Sequence, residues 1–158
     1  MRISTLLLLT VCGLCFAQAT SKAPKAHVLL TPGDMKWMPA PADTGLPPVV
    51  QIAVLSGDPG KPGPFAIRLK VPDGGKVPAH WHPTDEQLTV IQGVFKAGMG
   101  DKFDAAALKQ FPVGSYVLMP AKMHHFAMFQ GEGIVQINST GPFVVNYVNP
   151  ADDPRKPK

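Results

Sequence analysis

The sequence predicts an all-β fold, an antiparallel sandwich or barrel, over most of its length. It contains 18 prolines and 15 glycines among 158 residues, which largely excludes long helices, because proline breaks a helix interior and glycine weakens it. From Val49 onward, short runs of β-branched and apolar residues are interrupted by Gly or Pro at roughly ten-residue intervals, the spacing of an all-β domain. Only residues 103–110 have a helical composition.

The N-terminal residues 1–19 are typical of a signal peptide. Arg2 supplies a positive charge, residues 5–16 form an apolar run too short to span a bilayer, and small side chains follow. We expect a cut after Ala19 or Ala17. The product would be secreted or periplasmic, with no membrane anchor after cleavage.

Both cysteines of the chain, Cys12 and Cys15, lie inside that segment. Neither follows the small residue that lipoprotein processing requires. The 139 residues left by a cut after Ala19 suffice for one domain with its own core. That domain must stand without a disulfide, and any metal must be held by nitrogen and oxygen ligands.

The charge pattern argues against a nucleic-acid partner. The chain carries 15 Lys and Arg against 11 Asp and Glu, a formal net charge of +4. The basic residues are scattered except in residues 155–158, where no aromatic side chain offers a stacking platform. The sequence therefore predicts no nucleic-acid binding.

Composition divides the mature chain into three parts. Residues 20–48 are rich in Pro, Gly and Ala and are predicted to form an arm laid over the domain, with ordered contacts near Trp37 and frayed residues before about Ala26. Residues 49–148 form the domain. Residues 149–158 are predicted to be a disordered tail.

Nine segments of the domain are predicted strands, because each is a short run of apolar and β-branched residues bounded by turn formers. They are residues 49–57, 65–72, 77–82, 86–93, 94–100, 115–120, 124–130, 133–139 and 142–148.

The segment PAHWHPTDEQ contains the densest group of chemically active side chains. Alternate residues of a strand share a face, so His80 and His82 point together while Trp81 points away. A turn at residues 83–85 precedes Glu86. If the hairpin brings Glu86 back beside His82, two imidazoles and a carboxylate converge in a set that suits Fe, Mn, Co, Ni, Cu or Zn.

A fourth ligand, if there is one, would come from the adjacent pair His124 and His125. Neighbours on a strand face opposite ways, so both cannot enter one site. His125 shares its face with Ala127 and Phe129, which are suited to lining a cavity. A lone His-x-His is more often a surface pair, but two such features in an order that hairpins could bring together favour a site.

Read with its flanks, the first segment resembles the first motif of the cupin superfamily. Its spacing is Gly74, five residues, His80-x-His82, three residues, Glu86, six residues and Gly93. Every position of that motif is matched.

The second cupin motif is matched in part. Gly114 is followed after five residues by Pro120, and His125 stands at the ligand position. Lys122 stands where the family usually has Gly, and Phe129 where it usually has Asn. Glycine there often permits a positive φ, which lysine adopts only at a cost.

The resemblance covers about residues 49–148 and implies a jelly-roll β-barrel of six or more strands with one divalent transition metal (Fe, Mn, Zn, Ni, Co or Cu) in its mouth. The ligands it implies are His80, His82, Glu86 and His125. Residues 57–65 and 141–155 also look like those of small exported single-domain cupins.

Four protein ligands would leave a six-coordinate metal two positions for a small-molecule ligand. We therefore expect a metal-dependent dioxygenase or isomerase acting on a small oxygenated molecule. The alternatives are a non-catalytic module that binds or senses a small ligand, and a metal-free structural barrel. Cupins also form homodimers through strand edges, which no residue pattern here decides.

Overall fold

The protein is described by a computed structural model that covers residues 27–156 and contains nine strands and four single-turn 3₁₀ helices in that range. The strands are β1 (Met38–Pro39), β2 (Gln51–Ser56), β3 (Gly63–Val71), β4 (Lys76–Trp81), β5 (Glu86–Met99), β6 (Lys109–Phe111), β7 (Tyr116–Met119), β8 (His125–Gly141) and β9 (Asn146–Tyr147). The 3₁₀ turns are Pro32–Asp34, Ala42–Thr44, Ala105–Ala107 and Pro150–Asp152. The all-β prediction is confirmed, and the predicted signal peptide lies outside the described residues.

The strands pair antiparallel throughout and curl into two facing walls. One wall has the order β1-β2-β3-β8-β5-β7 and the other β9-β4-β8-β5-β6. Because β5 and β8 run through both walls, the sheet closes around one interior. Ile67, Val90, Val135 and Ile137 fill it and are at most 1% exposed.

Two predicted strand breaks are bends in continuous strands. Residues 86–93 and 94–100 join as β5, and residues 124–130 and 133–139 join as β8. The bend in β5 falls at Gly93, whose φ is 74°. A Cβ there would lie 2.7 Å from the Glu132 carbonyl oxygen, so the two bent strands approach as closely as a glycine allows.

The predicted helical segment, residues 103–110, is only partly helical. Asp104 caps a single 3₁₀ turn by accepting a hydrogen bond from the Ala106 amide at 2.9 Å. The chain then extends into β6, where Phe111 pairs with Phe95 of β5. The second half of the segment thus pairs with β5 at an edge of the sheet instead of continuing as a helix.

The arm follows the edge of the first wall. Met38 pairs with Ile52, and the Ala40 amide donates to the Val50 carbonyl at 3.0 Å. The Lys70 ammonium lies 4.5 Å above the Trp37 ring. These are the ordered contacts predicted near Trp37, while the part expected to fray lies outside the described residues. Within residues 27–156, no helix is long and apolar enough to cross a membrane.

The C-terminal residues, which include part of the tail predicted for residues 149–158, contact the arm and β4. We call residues 142–156 the C-terminal strap. The Val145 amide donates to Thr44 of the arm at 2.8 Å, and the Val148 amide donates to Ala79 of β4 at 2.9 Å. Arg155 reaches back to the Val145 carbonyl at 2.9 Å. Backbone hydrogen bonds therefore hold residues 145 and 148 of the predicted domain, and the Arg155 side chain ties the predicted tail to them.

Candidate metal centre

Four buried polar side chains meet at one end of the barrel interior. His80 and His82 lie on and just beyond β4, Glu86 begins β5 and His125 begins β8. His80 pairs directly with His125 across the sheet. Their exposed fractions are 4%, 4%, 7% and 2% in chain order, although such groups are rarely buried without partners.

The distances between these side chains leave a gap of metal size. Glu86 Oε2 lies 3.6 Å from Nε2 of His82 and 3.6 Å from Nε2 of His125. The potential ligand nitrogens of the three histidines lie within 4.8 Å of one another. Ligands at about 2.1 Å from a metal are about 3 to 4.2 Å apart. The three-histidine group therefore fits metal binding, with Glu86 beside two of its members.

Each imidazole is oriented by a backbone carbonyl. A carbonyl oxygen can only accept, so Nδ1 of each ring carries the proton and Nε2 presents its lone pair. Such hydrogen bonds orient histidine ligands in metal sites. The three bonds are His80 Nδ1 to Pro78 O at 2.7 Å, His82 Nδ1 to Val144 O at 2.9 Å and His125 Nδ1 to Met123 O at 3.0 Å.

Two of these inward nitrogens, His82 Nε2 and His125 Nε2, are buried without a hydrogen-bond partner. Leaving a buried polar atom unpaired is costly, and such atoms mark positions where a ligand or ion completes the site. Two orphaned lone pairs beside a buried carboxylate are the arrangement that a cation would satisfy.

Burial keeps the two histidines of the first motif neutral. Burial lowers the pKa of His80 well below its usual value, and the charges of His125 and His82 lower it further. Burial also lowers the pKa of His82, while the charge of Glu86 opposes the shift. The lone pairs are therefore available for binding at neutral pH without loss of a proton.

Glu86 is held as a carboxylate. Burial alone would raise its pKa, but His82 and then His125 outweigh burial and lower the pKa of Glu86 to about 2. Near neutral pH, His80 and His82 thus present neutral nitrogen donors beside one negative oxygen donor.

The cluster opens onto a cavity of about 40 Å³ inside the barrel. A single water needs roughly 10–15 Å³ of such space, so the cavity has room for an ion and a few small atoms. Among the described residues that line it, no ionisable side chain occurs beyond the four of the cluster. Ala127 and Phe129 face the cavity as predicted from strand alternation, Leu88 lines it beside them, and Phe143 adds an aromatic wall.

The adjacent histidine lies outside the cluster. His124 Nδ1 is 2.7 Å from Asp101 Oδ1, and the His124 side chain is partly exposed. The structure places His125 inside the cluster and His124 outside it, which agrees with the register that the second cupin motif implies. A role as metal ligands stays a prediction for the four residues of the cluster, which are His80, His82, Glu86 and His125.

Lys122 adopts a positive φ in spite of its cost to a lysine. Its φ is 64°, and it is the one non-glycine with a positive φ among residues 27–156. Its amide donates to the His82 carbonyl at 2.8 Å, and the neighbouring Ala121 amide donates to Asp85 Oδ1 at 2.8 Å. The strained turn therefore joins the two motif segments beside the cluster.

Sequence reasoning missed the contribution of the C-terminal strap. The Phe143 ring stacks on His82 with centroids 5.0 Å apart and planes inclined by 17°. The next residue, Val144, provides the carbonyl that orients His82. No local pattern indicates this contact, because the partners are 62 residues apart in the chain.

Comparison with known proteins gives a family match over most of the chain. Residues 25–144 match the model of the ChrR cupin-like domain. A curated relative, germin-like protein subfamily 3 member 3 of Arabidopsis thaliana, is 36% identical over 72 residues, which are 45% of this chain and 34% of that protein. The match therefore spans about a third of the length of the curated relative.

Solved structures show the same fold at low sequence identity. The polyketide cyclase RemF of Streptomyces resistomycificus superposes with a TM-score of 0.65 at 16% identity, covering 82% of this chain and 91% of that one. ChrR, the anti-sigma protein solved in complex with SigE of Rhodobacter sphaeroides, gives a TM-score of 0.50 at 22% identity, covering 70% of this chain and 52% of that one. Both likenesses bear on the fold alone.

Proposed function

This chain belongs to the ChrR cupin-like domain family of the cupin superfamily, and on that premise we propose that it binds one divalent transition metal through His80, His82, Glu86 and His125. One observation carries the proposal. The buried, unpartnered Nε2 atoms of His82 and His125 face a buried carboxylate oxygen at 3.6 Å. Three imidazoles and one carboxylate suit Fe, Mn, Co, Ni, Cu or Zn.

We further propose that the site is that of a metal-dependent dioxygenase or isomerase acting on a small oxygenated molecule. A metal bound there would supply a Lewis acid with open positions for oxygen donors. The cavity wall around those positions is largely apolar. Since no other ionisable side chain of the described residues lines the cavity, proton transfer would fall to Glu86 or to the substrate itself.

Oxygen consumption and product analysis test the catalytic proposal. The metal-free protein is loaded in turn with Fe²⁺, Mn²⁺, Ni²⁺, Co²⁺, Cu²⁺ or Zn²⁺ and offered molecules of a few atoms that chelate through two oxygens, such as glycolate or pyruvate. We expect turnover with one metal, its loss in His82→Ala and its retention in His124→Ala. Equal turnover in wild type and His82→Ala would contradict the proposal.

A second candidate function is a module that binds or senses a small ligand without turnover. The apolar lining favours it, because the described cavity residues offer few groups for acid and base chemistry. Saturable binding to the metal-loaded protein with no product formed would decide for this function.

We also propose that the protein is exported. The support is the signal-like composition of residues 1–19. Sequencing the N-terminus of the protein recovered from outside the cytoplasm should find a chain beginning at Thr20 or Gln18. An uncleaved chain in the cytoplasm would contradict export. Pairing into a homodimer stays a prediction.

A further inference from the structure

The C-terminal strap is fastened at its far end by one arginine. The Arg155 guanidinium donates to the Val145 carbonyl at 2.9 Å and to the Asp43 carbonyl of the arm at 3.3 Å. The carboxylate of Asp153 accepts two more hydrogen bonds from the same guanidinium, at 2.8 and 2.9 Å. A planar fork with several fixed donors can make all these contacts at once, which an ammonium cannot.

The arm is shaped to receive this guanidinium. Gly45 has a φ of 73°, and a Cβ there would lie 2.9 Å from Arg155 Cζ and 2.9 Å from the Val145 carbonyl oxygen. The Tyr147 hydroxyl donates to the Gly45 carbonyl at 2.9 Å. The arginine and Tyr147 thus add to the bond from the Val145 amide to the Thr44 carbonyl, and Gly45 leaves room for the arginine.

The same stretch of the strap holds His82. Arg155 binds the carbonyl of Val145, and His82 Nδ1 donates to the carbonyl of the preceding residue, Val144. Phe143, one residue earlier, is only 4% exposed and stacks on the His82 ring. Val145 itself is fully buried. Three consecutive strap residues therefore connect the guanidinium to the imidazole.

We propose that Arg155 is a positioning residue for the metal centre. By fastening the strap to the arm, it holds the Val144 carbonyl and the Phe143 ring against His82 and so fixes the direction of the His82 Nε2 lone pair. The inference rests on the proposed metal-binding function. The orientation of the His82 imidazole can also be observed in the metal-free protein.

Cobalt affinity tests the proposal in three variants. Arg155→Met removes every guanidinium hydrogen bond and keeps an unbranched side chain, while Arg155→Lys keeps the charge but not the fork. Lys156→Met is the matched control, since Lys156 is exposed and no side-chain hydrogen bond is found for it in the described structure. The Co²⁺ dissociation constant is measured by competition with a chelator, at a temperature where circular dichroism shows each variant to be folded.

Replacing a group that orients a metal ligand typically weakens metal binding about 10- to 100-fold. Arg155 acts through one intervening residue, so we expect Arg155→Met to weaken Co²⁺ binding about 3- to 10-fold, Arg155→Lys to weaken it less, and Lys156→Met to leave it unchanged. A purely structural arginine would lower the melting temperature of Arg155→Met and leave the Co²⁺ affinity of the folded protein unchanged. That outcome would overturn the proposal.

A measurement without metal separates this inference from the proposed function. Nitrogen NMR of the imidazoles in the metal-free protein reports the His82 Nδ1 proton. We expect that proton to exchange faster with solvent in Arg155→Met than in wild type or Lys156→Met. If wild type binds no Co²⁺, the proposed function fails, and this exchange rate alone decides the positioning role. Unchanged exchange would refute it.

Discussion

Two of the three imidazoles are oriented by groups close by in the sequence. His80 and His125 donate to the carbonyls of Pro78 and Met123, each two residues earlier in the chain. From the sequence, strand alternation predicts that His80 and His82 share a face, and the second cupin motif implies His125 at the ligand position. His82 differs, because its partner is Val144. Its orientation depends on tertiary structure that no local pattern encodes.

The buried histidines make the stability of the metal-free protein depend on pH. The pKa values of His80 and His82 in the folded protein lie below the ordinary 6.5 because burial disfavours the charged rings. Below pH 6.5 the unfolded chain therefore binds protons that the folded protein does not. Stability should fall on acidification, by at most about 1.4 kcal/mol per pH unit for each histidine.

Urea unfolding of chelator-treated protein at pH 7.5, 6.5 and 5.5 measures this dependence. The His80→Leu variant should show a shallower one, since it has one fewer buried histidine. Glu86, with a pKa of about 2 against an ordinary 4.5, adds a further loss as pH falls below 4.5. Stability that is flat or that rises between pH 7.5 and 5.5 would contradict the burial argument.

Lys122 should be a site where glycine stabilises the protein. A left-handed conformation costs an ordinary residue about 1–2 kcal/mol, and glycine removes this cost. Glycine also makes the unfolded chain more flexible, which lowers the free energy of unfolding by about 0.4–1 kcal/mol. Lys122→Gly should therefore raise the free energy of unfolding by about 0.5–1 kcal/mol in urea titrations. Lys102→Gly, at an exposed lysine without a positive φ, should lower it. Equal losses in both variants would disprove the strain.

The bent strands β5 and β8 decide the shape of the barrel. The sequence indicates the break at Gly93 correctly but not its nature, because a turn between strands and a bend within one strand share the same local signal. Pairing of β8 with both β3 and β5 keeps the chain extended on either side of the bend. Long-range strand pairing therefore determines that Gly93 is a bend within one strand, which the local sequence alone does not show.

Gly93 and Gly131 provide a matched test of this bend. Both have a φ of 74°, but a Cβ at Gly93 would meet the Glu132 carbonyl at 2.7 Å, whereas a Cβ at Gly131 would meet nothing within 4 Å. Gly131→Ala should cost only the left-handed conformation, about 1–2 kcal/mol. Gly93→Ala should cost at least about 1 kcal/mol more, because the backbone must also shift. Equal unfolding free energies for the two variants would count against the close approach.

The whole molecule shows where sequence reasoning reaches its limit. The all-β fold can be predicted from the regular spacing of Gly and Pro between short apolar runs. The position of the histidine and glutamate cluster can be predicted from strand alternation together with the two cupin motifs. The order of residues 149–156 does not follow, because it depends on Arg155 meeting the arm about 110 residues earlier. In the sequence, Arg155 belongs to a run of charged residues of the kind that is usually solvated. Its hydrogen-bond acceptors outside that run, the carbonyls of Val145 and Asp43, come close only in the folded protein.

Metal binding should stabilise the entire domain, because an ion that binds only the folded state shifts the unfolding equilibrium. At a free metal concentration 100 times the dissociation constant, the gain is about 2.7 kcal/mol, or about 10 °C in melting temperature for a domain of this size. Thermal unfolding with Zn²⁺ or Co²⁺ added to chelator-treated protein measures the shift. Mg²⁺ is the control, since it prefers oxygen ligands. Equal melting temperatures in all samples would speak against a site.

Elemental mass spectrometry of the purified protein tests the metal centre most directly. The samples are wild type, His82→Ala and His124→Ala, each shown to be folded and each measured before and after reconstitution. We predict close to one transition-metal ion per chain in wild type and in His124→Ala, and most of it lost in His82→Ala. A wild type that holds no metal even after reconstitution, or a His82→Ala variant that retains the wild-type amount, would contradict the assignment of this cluster as a metal site.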